Sequence, residues 1–386
     1  MNVAEVYRLR PYPNIDAAKG VSPVAKPTVR FLLPGLTRQP VGGYKVAYEY
    51  ANYLATHYAD LVLVEVHHAK WFQFAQLHHQ QSRVRILADY AKQAVLRIGG
   101  VRWYPLNRAV KSRVWIGRPK MHSNPEDIWI ATSCQTAPFA SEQSTAGNGV
   151  YFIQHFETWA APQGFVEETW RLDLDKVVIA PWLLDKAHEL GVTATYIPNA
   201  IDPGHFQLGE PQQQRSRSVL AMISSIPFKR LDLIIEAFDA LHRADPNIVL
   251  RTFGTIPRPP ELPAYVQHTK NPSPSELTGL YQQSRVYLTA SDAEGWHLPP
   301  AEALLCGCAL VSTDIGGVRA YADGVALFSP PGDAGSLAIN ARYLCDRPIE
   351  AQERVDVGRA ALLSYTPALA ADRFAQFCVG RLRDPA

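Results

Sequence analysis

Two glutamates stand eight positions apart in the segment EGWHLPPAEALLCGCALVSTDIGG, residues 294–317. Glu294 opens the segment, and Glu302 follows a Pro-Pro pair that is typical of the first turn of a helix. This segment contains few other side chains that could act as nucleophile or base. The spacing therefore raises the question of what chemistry needs one carboxylate on a loop and another just inside a helix.

The elements around these glutamates predict where they lie. The apolar run 286–290 predicts a strand, Pro299–Pro300 predicts a helix start, Gly307 predicts its end, and 309–313 predicts the next strand. In open α/β sheets ligands bind outside the carboxyl ends of the strands. We expect Glu294 on the loop at this edge and Glu302 in the first turn of the helix.

This arrangement predicts a ligand that carries both phosphate and hydroxyl groups. A helix amino terminus offers unpaired N–H groups and positive potential to a phosphate, and Gly295 lets the backbone approach it. A carboxylate is unsuited to bind phosphate but accepts hydrogen bonds from hydroxyls, so Glu302 suits a ribose and Glu294 suits the group that the phosphate carries. The expected ligand is a nucleoside diphosphate that bears a sugar.

The composition indicates a soluble protein with two domains. The chain has 386 residues, 47% of them hydrophobic, but no apolar run long enough to cross a membrane. Its beginning, MNVAEVYRLRPYPN, carries charges where a signal peptide is apolar, so a cytoplasmic location is expected. The five cysteines form no CxxC pair and predict small core residues rather than a zinc site or disulfides.

The charge is unevenly distributed. The net charge is +2, yet the span 83–120 contains ten Lys or Arg residues and one acidic residue, Asp89. Within it Val84, Leu87, Ala88, Ala91, Val95 and Ile98 recur at helical spacing. The basic helix is interpreted either as a solvated face over an apolar core stripe or as a contact with an anionic membrane or acceptor. Nucleic acid is not expected, because the chain as a whole is barely basic.

Short apolar strands alternate with helices along the whole chain, which predicts an α/β fold with parallel sheets covered on both faces. The pattern pauses at the polar stretch GEPQQQRSRS, residues 209–218, and then restarts. We therefore expect an N-terminal domain over 1–208 and a C-terminal domain over 209–366. Thr366–Pro367 predicts the start of a last helix, within 367–386.

The segment EGWHLPPAEALLCGCALVSTDIGGVRAY resembles the signature of the family 4 retaining glycosyltransferases, in which two glutamates are separated by seven residues. The resemblance extends to GLTRQPVGGYKVAYEYANYLA, YFIQHFE, YIPNAIDPGHF and KRLDLIIEAF, in the order of the family. It implies the GT-B fold, with two Rossmann-like domains that face a cleft and a last helix that crosses back to the first domain.

The resemblance also implies roles for individual residues. Glu302 would bind the ribose, Glu294 the donor sugar, and Lys229, next to Arg230, the departing diphosphate. His155 would face the reacting carbon as a third catalytic residue. The remaining implied contacts come from two loops: Gly295, Trp296, His297 and Leu298 around the donor, and Gly42 and Gly43 beside the diphosphate or acceptor.

The implied activity needs neither a metal nor another cofactor, because Lys229 and helix amino termini would neutralise the diphosphate. Asp173 and Asp175 resemble the metal-binding DxD motif of a different transferase fold, but they lie among segments of this family. The expected acceptor is a carbohydrate or a lipid-linked molecule, as in the synthesis of surface polysaccharide or glycoconjugates.

Three positions depart from the family pattern: Ser224 replaces an arginine, Arg230 replaces a glycine, and His297 replaces a glycine. These departures keep open a second hypothesis, a catalytically decayed protein that binds nucleotide sugars or regulates a partner. A phosphorylase or a nucleotide-sugar epimerase on the same fold is a third.

Overall fold

The computed structural model describes residues 26–75, 83–122, 124–145 and 147–382. They form two compact units, which divide between Asn199 and Ala200. We call residues up to Asn199, with those from Ala368 onward, the N-terminal unit, and 200–367 the C-terminal unit. Among the described residues no helix is long and apolar enough to cross a membrane.

The N-terminal unit is built on a parallel sheet with the strand order β3-β2-β1-β4-β5-β6-β7. All six residues of β1 and all five of β5 are buried, because helices cover both faces of a parallel sheet. The strands are β1 (Thr28–Leu33), β2 (Leu63–Ala69), β3 (Val110–Trp115), β4 (Ile128–Ala131), β5 (Gly149–Ile153), β6 (Asp175–Val178) and β7 (Ala194–Tyr196). The helices are α1 (Gly42–His57), α2 (Trp71–Ala75), α3 (Arg83–Gly99), α4 (Ala137–Gln143), α5 (Gln163–Arg171) and α6 (Pro181–Glu189).

The C-terminal unit repeats this architecture with the order β10-β9-β8-β11-β12-β13. Its strand order reverses between β8 and β11, so the loops that follow these two strands diverge and leave a crevice at their carboxyl ends. The strands are β8 (Ser218–Met222), β9 (Val249–Gly254), β10 (Gln267–Lys270), β11 (Val286–Thr289), β12 (Ala309–Thr313) and β13 (Leu327–Ser329). The helices are α7 (Leu231–Ala244), α8 (Pro274–Gln283), α9 (Leu298–Leu305), α10 (Gly316–Ala322), α11 (Ala334–Asp346) and α12 (Pro348–Leu363).

The last helix, α13 (Pro367–Val379), packs within the N-terminal unit. The Phe374 ring stacks on Tyr50, with ring centroids 4.5 Å apart, and also meets Phe31 of β1. The Asp372 carboxylate accepts hydrogen bonds from the hydroxyls of Tyr53 and Tyr58. Aromatic packing and two hydrogen bonds thus hold the end of the chain on this unit.

The polar segment 209–218 lies within the C-terminal unit, and its Gln212 and Arg215 side chains are buried there. The Arg215 guanidinium is buried and donates hydrogen bonds to the carbonyls of Tyr281, Ser284 and Cys306. The buried Gln212 amide likewise donates to the carbonyl of Gly307. Polar composition suggested a boundary here, but these side chains satisfy backbone groups that would otherwise be buried without partners.

The cysteines lie where the sequence predicts. All five are buried and unpaired. Gly307 lies between Cys306 and Cys308 and has a φ of +94°, which ends α9 with the left-handed residue that commonly follows a helix. The prediction that CGC is a tight, buried helix end is therefore confirmed.

Helix α3 forms as the spacing predicts, but its apolar stripe is not a core face. Val95 is 58% exposed and Ile98 is 88% exposed, whereas Gln93 and Leu96 are buried. Ala88 and Ala91 are exposed as well. The interpretation as a core stripe is wrong for these residues, and the side chains of Arg83, Val84, Arg85 and Leu87 lie outside the described part.

Candidate functional site

The predicted strand, loop and helix around the two glutamates are present in the C-terminal unit. Strand β11 ends at Thr289, and α9 begins at Leu298, one residue before the Pro-Pro pair. The sequence predicted Glu302 in the first turn of α9. It lies one turn further into the helix, because Leu298 already has helical geometry. The loop between β11 and α9 carries Glu294 at the crevice beside β8.

Glu294 is bound by a lysine that is distant in sequence. The Nζ of Lys229 donates to Oε1 of Glu294 at 2.5 Å, and the Ser291 hydroxyl donates to the same oxygen at 3.0 Å. Nε2 of His297 lies 3.5 Å from it. The Glu294 residue is only 9% exposed, so the pair is largely removed from water. The predicted catalytic residues Glu294 and Lys229 are thus in direct contact.

The charges of this cluster follow from burial and from the lysine. Burial alone would raise the pKa of Glu294, but His297, Lys229 and the hydrogen bonds from Lys229 and Ser291 together lower it below its usual value. Burial lowers the pKa of His297 to about 4, although Glu294 opposes this shift. Near neutral pH the imidazole is therefore uncharged, and Lys229 is the cation that holds Glu294 ionised.

His297 occupies the position before α9 with unusual backbone geometry. Its φ is +57°, in the left-handed region, which a residue with a side chain rarely adopts. The Tyr321 hydroxyl donates to the His297 carbonyl at 2.9 Å, and the Tyr321 ring packs on Trp296, with centroids 4.4 Å apart. Within the described residues, neither His297 ring nitrogen has a hydrogen-bond partner, although the side chain is buried. Such a buried imidazole is available to a ligand.

Gly317 of α10 is a site residue that the sequence alone did not single out. A Cβ at this position would lie 2.5 Å from the Glu294 carbonyl oxygen and 2.9 Å from its Cβ. Only a glycine lets the Glu294 backbone come so close to the helix. The Gly-Gly pair at the end of the segment indicated a close approach of the backbone there. The sequence did not show that the Glu294 backbone makes this approach.

Glu302 is positioned by a tyrosine from a neighbouring helix. The hydroxyl of Tyr281, on α8, donates to Oε2 of Glu302 at 3.0 Å. Burial, and then the Glu302 charge, raise the pKa of Tyr281 well above its usual value, so this hydroxyl remains a donor. The Glu302 carboxylate is half-buried, which leaves it able to accept from a further hydroxyl.

Lys229 is the last residue of a short 3-10 turn, Pro227–Lys229. Arg230 follows this turn and has a left-handed φ of +51°. Its guanidinium forms ion pairs with Asp232 at 2.8 Å and with Asp292 at 3.0 Å. The cluster therefore contains one lysine directed at Glu294 and one arginine directed at two other carboxylates.

The remaining predicted site residues lie in the N-terminal unit. Gly42 and Gly43 begin α1, and the Gln154 amide donates to the Gly43 carbonyl at 3.0 Å. A Cβ at Gly43 would lie 3.2 Å from that amide. Nδ1 of His155 lies 3.0 Å from the Phe156 carbonyl, just after β5.

A second carboxylate near His155 was missed by the sequence analysis. Glu157 accepts a hydrogen bond from the Cys134 amide at 2.5 Å. Burial raises the pKa of Glu157 to about 7, although the hydrogen bonds from Cys134 oppose the shift. A carboxyl group that titrates near neutrality at the carboxyl edge of a parallel sheet is typical of functional sites.

One of the two aspartates that resemble a metal-binding motif is engaged elsewhere. Arg381 forms an ion pair with Asp175 at 2.6 Å. Across the described ranges of the chain, no group of three or more His, Cys, Asp or Glu residues is arranged to hold a metal ion.

Comparisons with known proteins agree with this architecture. Residues 217–347 match a family model described as glycosyl transferases group 1. No curated protein matches the chain. Sucrose-phosphate synthase from Thermosynechococcus elongatus has a TM-score of 0.62 at 13% identity and covers 91% of this chain and 98% of its own. Anabaena HepE, solved in complex with UDP and glucose, has a TM-score of 0.63 at 12% identity, with coverages of 90% and 98%.

A third similar structure is TarM from S. aureus, in a complex with fondaparinux, alpha-GlcNAc-glycerol and UDP. It has a TM-score of 0.61 at 10% identity and covers 91% of this chain and 99% of its own. At such identities the likeness shows the fold alone. The two parallel sheets and these neighbours confirm the predicted GT-B fold class.

We predict that Gly317→Ala destabilises the C-terminal unit, because the new methyl group would push against the Glu294 backbone. The expected loss is about 1–3 kcal/mol, as for other overpacked sites. Gly335→Ala is the matched control, since the nearest atom to its added Cβ is 3.4 Å away and its φ is not in the left-handed region. The control should be neutral or slightly stabilising. Thermal denaturation of both variants compares them, and equal melting temperatures would contradict the steric argument.

Proposed function

We propose that this chain is a retaining, metal-independent glycosyltransferase that moves a sugar from a nucleoside-diphosphate sugar to a carbohydrate or lipid-linked acceptor. The observation that carries the proposal is the buried Lys229–Glu294 pair at the carboxyl edge of the sheet, inside the segment 217–347 that matches the group 1 transferase model. Such a cation stabilises the negative charge of a departing diphosphate. Such a carboxylate stabilises a sugar that becomes positively charged.

The donor is assigned to the C-terminal unit. Glu302, oriented by Tyr281, accepts hydrogen bonds from the ribose hydroxyls. Lys229 neutralises the diphosphate, and the amides of the loop from Gly295 to the start of α9 at Leu298 approach its oxygens. Arg230 is assigned a secondary role at this position, because two carboxylates already engage its guanidinium.

The chemistry is a substitution at the anomeric carbon of the sugar. The bond to the diphosphate oxygen breaks, and the electron pair leaves with the diphosphate. The acceptor oxygen bonds to the same face of the sugar and passes its proton to the departing diphosphate oxygen. This route needs no enzyme nucleophile, which agrees with the few reactive side chains near Glu294. Fixed positive charge at the leaving group and a carboxylate near the sugar lower the barrier.

The N-terminal unit is assigned to the acceptor side. Gly42 and Gly43 begin α1, whose amino terminus favours an anionic or hydroxyl-bearing group. His155 is assigned to the reacting carbon, on the resemblance of YFIQHFE to the family. HepE and TarM, which share this fold, were solved with UDP and with carbohydrate ligands.

A second hypothesis is a nucleotide-sugar-binding protein that has lost catalysis. Ser224, in place of the expected arginine, and the buried His297 motivate it. The intact Lys229–Glu294 pair favours the enzyme. Release of free nucleoside diphosphate only when an acceptor is present supports the transferase. Release that depends on inorganic phosphate indicates a phosphorylase, and an altered sugar nucleotide without any acceptor indicates an epimerase.

The proposal includes contact with the inner face of an anionic membrane through residues 83–120. Val95 and Ile98 of α3 are exposed apolar side chains, and Lys92 and Arg97 are exposed on the same helix. Apolar insertion and attraction to anionic lipid act together on such a helix. A lipid-linked acceptor would then be met at the membrane surface.

Metal independence predicts that turnover persists in EDTA. Lys229 and the helix amino terminus supply the positive charge that a metal would otherwise provide. Nucleoside diphosphate release is measured with EDTA and with added manganese. Activity that EDTA abolishes and manganese restores would contradict the prediction and return attention to Asp173 and Asp175.

The two glutamates predict different kinetic defects. Glu302→Gln weakens contact with the ribose, which does not change during the reaction, so the donor KM should rise with a smaller change in kcat. Glu294→Gln weakens a contact that strengthens in the transition state, so kcat should fall by roughly 10- to 1000-fold, or about 1.4 to 4 kcal/mol. Lys229→Ala should impair both parameters. Steady-state kinetics on folded variants tests this, and near-normal kcat in Glu294→Gln would refute its role.

Membrane contact predicts that Ile98→Ser weakens binding to phosphatidylglycerol vesicles and that salt weakens it further. Ile339→Ser is the matched control, because Ile339 is 71% exposed but lies in the C-terminal unit. Sedimentation with vesicles measures both. Equal binding to phosphatidylglycerol and phosphatidylcholine vesicles, or an equal loss in the control, would contradict the assignment to α3.

A further inference from the structure

A cavity of about 550 Å³ lies in the N-terminal unit between α3 and the loop that joins β1 to α1. None of the residues assigned to the donor lines it. Its charged lining consists of Arg38 on the loop, Lys70 after β2, and Lys92 and Asp89 on α3. Three cations therefore face one carboxylate.

Two of these cations are available to a ligand. In the described part of the chain, neither Arg38 nor Lys92 forms an ion pair, and both side chains belong to exposed residues. The three cations outnumber the one carboxylate of the lining, so the cavity carries a net positive charge that attracts an anion. Arg38 offers it a guanidinium, and Lys92 offers it an ammonium group.

The loop that carries Arg38 is held in a fixed conformation. The buried Gln93 amide accepts from the Leu36 N–H at 3.0 Å and donates to the Leu36 carbonyl at 3.2 Å. The Trp103 indole donates to the Thr37 carbonyl at 3.1 Å. The residues on both sides of the cavity are thus joined through these bonds, so little ordering is needed when a ligand binds.

The first residues of this loop, just after β1, are also held by a hydrogen bond. The Gln73 amide donates to the Pro34 carbonyl at 2.8 Å, and Gly35 has a φ of +106°. A Cβ at Gly35 would lie 3.4 Å from the Lys70 Cδ, an ordinary contact distance, so this turn lies next to the lysine stem that lines the cavity. The turn and the lysine are therefore arranged together.

We propose that this cavity binds a phosphate group carried by the acceptor. A guanidinium forms paired hydrogen bonds with phosphate oxygens, and ammonium groups add point charges around them. The apolar part of the lining, Leu36, Val95 and Leu96, suits the aliphatic or sugar portion attached to the phosphate. The proposal rests on the proposed transferase function, and it narrows the acceptor to a phosphate-bearing class.

The phosphate could belong to a lipid headgroup or to a water-soluble ester, and the experiment has an arm for each. The double variant Arg38→Gln, Lys92→Gln removes two charges from residues at the protein surface. Lys26→Gln is the matched control, because Lys26 is exposed in the same unit, lies outside the span 83–120 and does not line the cavity. Lys229→Ala reports any binding at the donor site instead.

Inorganic pyrophosphate is the soluble probe, and its affinity is measured by calorimetry for each protein. Short-chain phosphatidic acid below its critical micelle concentration is the lipid probe, because it presents no charged bilayer to which the basic residues of α3 could bind. We expect the double variant to bind at least one of the two probes about 10-fold more weakly or worse, as charged hydrogen bonds predict, and the control to bind as the parent does. The probe whose binding depends on Arg38 and Lys92 identifies the source of the phosphate.

Unchanged affinity of the double variant for both probes would overturn the proposal, and so would a loss of pyrophosphate binding in Lys229→Ala alone. Binding of UDP and GDP to the parent and to the double variant is measured in parallel. If the parent binds no nucleoside diphosphate, the transferase function fails. If nucleotide binding is normal and the double variant still binds both phosphate probes, only the acceptor site fails.

Discussion

The buried ion pair between Lys229 and Glu294 is the interaction on which the C-terminal site depends. Removing two charges from water costs several kcal/mol, and only close geometry and further hydrogen bonds offset that cost. The site supplies them through the 2.5 Å contact and the Ser291 hydroxyl. The loop must also pass close to α10, which Gly317 allows, and must reach α9 through the left-handed His297.

An ion pair of this kind also has consequences for ligand binding. In the proposed function, a diphosphate that reaches Lys229 would compete with Glu294 for the same ammonium group. When the lysine turns to the diphosphate, Glu294 loses its closest cation and needs new donors, which the hydroxyls of a sugar can provide. The uncharged His297, with ring nitrogens that lack partners in the described residues, lies 3.5 Å from the same carboxylate oxygen. The arrangement would exchange one set of partners for another as the donor binds.

Local signals allowed much of this to be predicted from the sequence. Alternating apolar runs indicated the strands, and Pro299, Pro300 and Gly307 placed α9 almost correctly, because helix ends depend on nearby residues. The family resemblance implied separate roles for Glu294 and Lys229 at one donor site, but it did not predict their contact with each other. The contacts of Tyr281 with Glu302 and of Gly317 with Glu294 could not be predicted, since they join elements that only the folded sheet brings together. The prediction that Val95 and Ile98 belong to a core stripe failed for a related reason. Periodicity locates an apolar face of a helix but does not show what covers that face.

The positive charges at the donor site and at the cavity beside α3 are arranged in different ways, and the near-neutral total charge does not reveal this. In the C-terminal unit Lys229 and Arg230 are each matched to carboxylates, so charge there fixes geometry at short range. In the N-terminal unit Arg38 and Lys92 form no ion pair among the described residues, and the span 83–120 is strongly basic. Uncompensated surface charge attracts anions over about 10 Å at moderate salt and raises the rate of encounter. Attraction of that kind selects for charge alone, so selection among anions requires a cavity with fixed walls, such as the one that Gln93 and Trp103 hold in place beside α3.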